Sequence, residues 1–286
     1  MPIVVDNVSY TYAPGTAFET AALSGVSVTV EDGEFVGIMG RTGCGKSTLL
    51  QLMAGLLRPS SGRIMLDGKD INARGYRRDE LREKVGLLFQ FPECQLFEST
   101  VERDVAFGLK HLPLPAEEKA ARVRWALEAV GFSFESIRHQ SPLGLSGGEK
   151  RRVAIAGVLA VKPKILLLDE PAASLDPVGR REFMELMQRL HREGTTIVMI
   201  SHDADILGEY AQRILVLDRG KLRLAAPVKE IFKDIAGMEA LNLDVSRPRK
   251  IAHLLQKRGV PLPQDITGYG ELLVAIRNLK KGCLIS

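Results

Sequence analysis

Nine contiguous residues, Gly40-Arg41-Thr42-Gly43-Cys44-Gly45-Lys46-Ser47-Thr48, constrain this chain more than any other stretch. They match the phosphate-loop pattern G-x-x-x-x-G-K-[ST] in full. The preceding run, Phe35 to Met39, reads as a short buried strand. The following run, Lys46 to Leu56, reads as a helix that buries Leu49, Leu50, Leu52 and Met53. Glycines let successive backbone N–H groups turn inward and form a nest for phosphate oxygens. The helix start adds unpaired donors and the positive end of its dipole. In such a loop Lys46 reaches the terminal phosphates of a nucleotide and Ser47 holds Mg²⁺.

A second feature completes the first. Ile165-Leu166-Leu167-Leu168-Asp169-Glu170 is a buried strand with two carboxylates at its C-terminal end, the edge where open α/β sheets place their ligands. A helix over Pro177 to about Glu193 and a strand over Thr195 to Ile200 follow, the latter ending at Ser201-His202-Asp203. Strands alternating with helices predict a mostly parallel sheet.

At the front, Ile3 to Val5, Val8 to Tyr12 and Leu23 to Val30 predict antiparallel strands beside this core, and Arg63 to Leu66 before Asp67-Gly68 predicts a hairpin. Between Phe91 and Val161 the periodicity is helical, with helices over Glu102 to Leu109, Glu117 to Val130 and Ser146 to Val161. The last has Ser146 as N-cap and Glu149 as its capping-box partner. After Phe232 no strand pattern remains. Two helices are predicted there, one with Ile251, Leu254 and Leu255 on one face, the other with Leu272, Leu273, Ile276 and Leu279 at helical spacing. The expected organisation is a nucleotide-binding domain over 1–232, with a helical insertion over about 91–161, and an extension over 233–286 that serves a subunit interface.

A net charge of +4 does not call for nucleic acid, and the clusters Arg77-Arg78 and Lys150-Arg151-Arg152 read as solvated or interface residues. Three dispersed cysteines, Cys44, Cys94 and Cys283, form no CxxC pair, which argues against zinc and disulfides. The opening residues Met1 to Asp6 show no secretory signal, and no apolar run approaches the roughly 20 residues of a membrane span.

A nucleotide loop alone leaves kinases, GTPases and many ATPases open. Leu145-Ser146-Gly147-Gly148-Glu149 narrows that range. With it the chain resembles the nucleotide-binding subunits of ABC transporters over residues 1 to about 232. The resemblance implies a role for each matching residue. Tyr12 stacks on adenine, although strand alternation puts Tyr10 on the same face and leaves it a candidate. Gly40 to Thr48 is the Walker A loop, and Gln90 the Q-loop residue that senses the γ-phosphate and Mg²⁺. Asp169 orients Mg²⁺, and Glu170 polarises the attacking water. Ala173-Ser174-Leu175-Asp176 is the D-loop, and His202 contacts the γ-phosphate. Ser146, Gly147, Gly148 and Glu149 contact the ATP held by a partner, since in this family two subunits pack head to tail around each ATP. Cys44 replaces the more usual serine, and its thiol is expected to be open to alkylation unless ATP covers it.

The stretch Phe89-Gln90-Phe91-Pro92-Glu93-Cys94-Gln95-Leu96-Phe97-Glu98 resembles the ATPases of energy-coupling factor importers, and specifically the second of their two ATPase types. That implies a second ATPase subunit, non-identical by family habit with a homodimer left open. It also implies a transmembrane coupling subunit, a substrate-binding membrane subunit, and vitamins or transition-metal ions as cargo. The chain would sit at the cytoplasmic face of the membrane. Glu93, Gln95 and Phe97 are expected to line the groove for the coupling helices, with Glu93 or Glu98 pairing an incoming arginine. The rivals are the ATPase of another ABC importer, a DNA-repair-type ABC ATPase and a non-hydrolysing regulatory subunit. Intact Gln90, Glu170 and His202 count against the last.

Overall fold

The computed structural model describes residues 2–173 and 175–283. Ser174 of the expected D-loop lies outside them, as do Met1 and residues 284–286.

Ten strands form two sheets. They are β1 (Ile3–Tyr12), β2 (Thr20–Val30), β3 (Phe35–Met39), β4 (Ser61–Leu66), β5 (Lys69–Asp70), β6 (Val85–Leu88), β7 (Ile165–Asp169), β8 (Thr196–Ile200), β9 (Arg213–Asp218) and β10 (Lys221–Pro227). The first sheet is antiparallel in the order β2-β1-β4-β5. The second runs β10-β9-β3-β8-β7-β6 and is parallel apart from β10 at its edge. Every residue of β3, β7 and β8 is buried, as their uninterrupted apolar runs require.

The helices are α1 (Lys46–Met53), α2 (Arg78–Lys84), α3 (Val101–Ala106), α4 (Ala116–Ala129), α5 (Phe134–Ile137), α6 (Gly147–Ala160), α7 (Pro177–Arg192), α8 (Ala204–Tyr210), α9 (Val228–Lys233), α10 (Ile235–Ala240), α11 (Arg247–Lys257) and α12 (Tyr269–Cys283). The α/β core, the antiparallel sheet and the helical insertion (α3 to α6) thus stand where the sequence places them. The insertion's helices reach at most 14 residues, so the described residues hold no coiled-coil arm of a DNA-repair ATPase.

Details differ for local reasons. The two front runs are one strand, β1, with a bulge around Asn7, whose φ of 48° suits asparagine's tolerance of left-handed backbone. Helix α1 stops at Met53 because Gly55, at φ 67°, turns the chain out of it. Its Leu49, Leu50 and Leu52 are fully buried, and burial of each such side chain contributes about 1.5–3 kcal/mol.

The C-terminal segment departs further. Phe232, Met238 and Val245 lie in the same core as the parallel sheet, so the expected boundary at 232/233 coincides with no break in packing. A separate small cluster gathers Ala252, Leu262, Ile266 and Leu272. Helix α11 buries Pro248, Arg249 and Ala252, while of its apolar face Ile251 and Leu254 are exposed and Leu255 is partly buried. Polar anchors set this rotation: Ser246 Oγ donates to the Thr267 carbonyl at 2.6 Å and Arg249 Nε to the Phe232 carbonyl at 3.2 Å. On α12, Leu272 is buried while Leu273 faces out.

Candidate functional site

The phosphate loop links the end of β3 to α1. Gly45 caps α1 at φ 104°, and a Cβ there would stand 2.5 Å from the Ala22 carbonyl oxygen, so glycine is required twice over. Lys46 is nearly buried and curls back, donating from Nζ to the carbonyls of Gly40 at 2.7 Å and Arg41 at 3.0 Å. An ammonium resting on neutral carbonyls, at a helix start rich in N–H donors, is a ready seat for phosphate. Gly43 and Arg41 sit on the same loop, and Thr48 Oγ1 lies 3.1 Å from the Tyr12 hydroxyl. Tyr10 and Tyr12 meet edge to face at 4.8 Å. Tyr10 packs on the core of the antiparallel sheet while Tyr12 is 39% exposed. Of the two rings, Tyr12 is the more exposed.

Cys44 is a correction. It is buried in the core, and burial raises its thiol pKa above the ordinary value. The thiolate needed for alkylation is therefore scarce and screened. Cys94, by contrast, is exposed. Alkylation followed by peptide mass mapping is expected to label Cys94 at least about tenfold faster than Cys44. Equal labelling without nucleotide would restore the earlier reading.

Asp169 and Glu170 emerge side by side at the end of β7. Burial raises the pKa of Asp169, opposed by a hydrogen bond from Ser47 and by the charge of Lys46. Glu170 stands at φ 49°, a left-handed position uncommon outside glycine. Its pKa is raised by burial, against a hydrogen bond from the His202 amide and the charge of Lys46. His202 Nε2 lies 3.3 Å from Glu170 Oε1 and its amide 3.4 Å from Oε2. Among the described residues Oε1 accepts no well-formed hydrogen bond, so the 3.3 Å approach is proximity rather than a made bond. Burial and Lys46 also depress the imidazole pKa below its ordinary value, which favours the neutral ring. Asp203, next in sequence, caps α8 and pairs Arg180 of α7 at 2.7 Å.

Gln90 is exposed just past β6, at the same sheet edge. The turn Pro92–Gln95 follows, and Gln95 is exposed. Asp104, almost buried, accepts the backbone N–H groups of Phe97 at 2.9 Å and Glu98 at 2.8 Å. This loop presents Phe97, 63% exposed and edge to face with Phe107 at 4.8 Å. Phe107 is partly exposed as well, so the pair presents an aromatic surface, and Phe91, next to Gln90 in the chain, is also exposed. The carboxylates expected to await an outside arginine have partners in this chain. Glu98 pairs Lys110 at 2.8 Å, and Glu93 lies 3.9 Å from Arg151. Arg151, which the sequence makes a solvated or interface residue, is buried within its own chain.

The second helix start is at α6. Ser146 and Glu149 form the expected capping box: the Ser146 amide donates to Glu149 at 2.9 Å and the Glu149 amide to Ser146 Oγ at 3.4 Å. The Ser146 hydroxyl, donating to the same carboxylate at 2.7 Å, and then the Ser146 amide hold the Glu149 carboxyl below its usual range. Asp176 caps α7, accepting the amides of Val178 at 2.9 Å and Gly179 at 2.8 Å. Ser146, Gly148, Glu149 and Asp176 share one cleft of about 570 Å³, whose lining includes none of Gly40 to Thr48. Gly147 and Gly148 have nothing within 4 Å of where a Cβ would stand.

A phosphate loop on a parallel sheet, paired carboxylates on the adjoining strand tip and a capped LSGGE helix on an inserted helical unit define a nucleoside triphosphatase of the ATP-binding-cassette type. The ABC transporter family profile matches residues 23–173. The energy-coupling factor transporter ATP-binding protein EcfA2 of Symbiobacterium thermophilum is 48% identical over 282 residues, covering 99% of this chain and 98% of that one. The protein of the same name from Caldanaerobacter subterraneus is 46% identical over 267 residues, 93% of each. Among solved structures, cbiO1 from Clostridium perfringens, part of the ABC transporter complex cbiONQ, superposes with a TM-score of 0.72 at 40% identity, covering 89% of this chain and 98% of that one. The ATP-binding cassette MJ0796, solved as a post-hydrolysis dimer bound to ADP and Pi, gives 0.70 at 32% identity, covering 79% and 98%. The chain belongs to the ABC transporter family, among the ATP-binding proteins of energy-coupling factor transporters. It binds ATP and is an ATPase.

Proposed function

We propose that this chain is one of two ATPase subunits, by family habit non-identical, that clasp ATP head to tail and drive a transmembrane coupling subunit. Each ATP would lie between Gly40 to Thr48 of one subunit and Ser146 to Glu149 of the other. The observation that carries this is the pair of signature glycines. Among the described residues nothing crowds Gly147 or Gly148 at this helix start, and Gly148 lines the cleft that Asp176 shares. An anion brought by a partner gives them a purpose.

Tyr12 would stack on adenine. The Ser47 hydroxyl and the Asp169 carboxylate, near enough for Ser47 to lower the Asp169 pKa, are hard oxygen donors that fit Mg²⁺, with Gln90 at the same edge. The ion would neutralise phosphate charge. Glu170, its Oε1 without a formed bond among the described residues and its pKa raised, suits a general base for water. His202 would donate to the γ-phosphate. The aromatic surface around Phe97 would receive the coupling helices, with Gln95 at its rim, and the segment 233–286 would serve subunit contact. No described helix is long and apolar enough to cross a membrane. The reading therefore places the chain on the cytoplasmic face through its partners, a substrate-binding subunit for vitamins or transition-metal ions among them. No nucleic-acid role is proposed.

Co-expression with a coupling subunit and a substrate-binding subunit tests this. The native chain should co-purify with both and hydrolyse ATP. Phe97→Asp, which places a charge in the middle of the aromatic surface, should shed the coupling subunit while the ATPase pair stays folded. Retention of the full complex by that variant would sink the groove assignment.

A further inference from the structure

Arg151 stands on the second turn of α6 and is only 2% exposed. A guanidinium removed from water is costly unless it is bonded and paired. Its Nη2 donates to the carbonyl of Pro171 and, at 3.5 Å, to that of Glu170. Its Nη1 lies 3.9 Å from Glu93 Oε2. That carboxylate oxygen is buried and accepts no hydrogen bond among the described residues. At least three parts of the molecule therefore meet at one side chain. Among them are the helix begun by the signature, the turn that follows Gln90, and the backbone of the strained carboxylate position at the end of β7.

The Glu93 contact is about 1 Å longer than a closed charge-assisted hydrogen bond. The pair attracts but is open. Anything that strips water from Glu93 strengthens that attraction, because the local dielectric falls. The Glu93 side chain is a quarter exposed, and Glu93 precedes Phe97 by four residues in the same loop. A helix seated on the Phe97 surface would do the stripping.

We propose that Arg151 is a positioning residue, joining occupancy of the Phe97 surface to the placement of Glu170. When a coupling helix covers Glu93, the carboxylate closes on Nη1. The guanidinium follows by a fraction of an ångström and draws the Pro171 and Glu170 carbonyls with it. A shift of that size at a general base matters, since a misplacement of about 1 Å costs up to about a hundredfold in rate. This inference rests on the reading that the Phe97 surface receives the coupling subunit.

The test uses the assembled transporter complex and measures kcat and KM for ATP, melting temperature and coupling-subunit content. Glu93→Gln keeps shape and removes charge. It should lower kcat about tenfold, leave KM within about twofold, and change neither melting temperature nor coupling-subunit content. Arg151→Gln should slow turnover comparably, and the double variant should be no slower than Arg151→Gln alone. A native kcat in Glu93→Gln overturns the proposal. So do losses that multiply in the double variant, a KM that rises in step, or loss of the coupling subunit, which would make Glu93 a docking contact. If Arg151→Gln does not fold, Glu93→Gln decides alone. Phe97→Asp separates the two readings. If it keeps the coupling subunit, the groove assignment falls and this inference with it. If it sheds that subunit while Glu93→Gln turns over normally, only the joint falls.

Discussion

Glu170→Gln is expected to bind ATP with native affinity and to hydrolyse it at least about a hundredfold more slowly in the assembled complex. Glutamine keeps the size and most of the hydrogen-bonding shape, so the left-handed backbone at this position and the contact from the His202 amide should survive. What disappears is the ability to accept a proton. The measurement is a fluorescent-nucleotide titration beside phosphate release, and turnover near the native rate would remove Glu170 from its assigned role. A pH series adds a second check. Burial raises the native carboxyl's pKa, so hydrolysis should climb with pH through a midpoint above the ordinary 4.5.

The same shift makes a stability prediction of definite sign. A carboxyl whose pKa is higher folded than unfolded favours the folded state below its unfolded pKa, and that advantage is lost as pH rises through the folded value. At neutral pH the native chain thus keeps a buried charge that the variant lacks. Without nucleotide, Glu170→Gln should melt higher than native at pH 7, and the difference should vanish below the ordinary glutamate pKa. A carboxylate that lowers stability while promoting chemistry is a common compromise at active sites.

These assignments were legible early because the chemistry is local. A phosphate loop, a strand tip with two acids and a capped helix are each written in adjacent residues, and their order along the chain does the rest. Residues whose meaning depends on distant segments were not legible. Arg151 reads as one of three solvated or interface bases until the Pro171 carbonyl, 20 residues on, closes over it. Asp104 reads as part of a helix start, yet it organises the loop that displays Phe97. Cys44 reads as a reactive thiol because sequence does not show the core behind the loop. On α11 the apolar stripe of Ile251 and Leu254 is real but points outward, because the bonds of Ser246 and Arg249 set the rotation. Helices α2, α8, α9 and α10 are only six or seven residues long, too short for a 3.6-residue period to show.

Lys46→Met should weaken ATP binding by at least about a hundredfold while leaving the fold intact. In the chain alone, the ammonium does no more than rest on the Gly40 and Arg41 carbonyls, which surface water can replace. Against a phosphate it would form at least two charge-assisted bonds, each worth about 1.5–3 kcal/mol, and methionine fills the same channel with none. The charge also acts at a distance: it lowers the pKa values of Asp169, Glu170 and His202 together. Its removal should therefore move the His202 titration upward, toward 6.5, in the nucleotide-free chain, which proton NMR of the imidazole would follow. The two readouts are independent. Native affinity would show that Lys46 does not meet the phosphates, and an unmoved imidazole would show that its charge does not reach the residues at the end of β7 and β8.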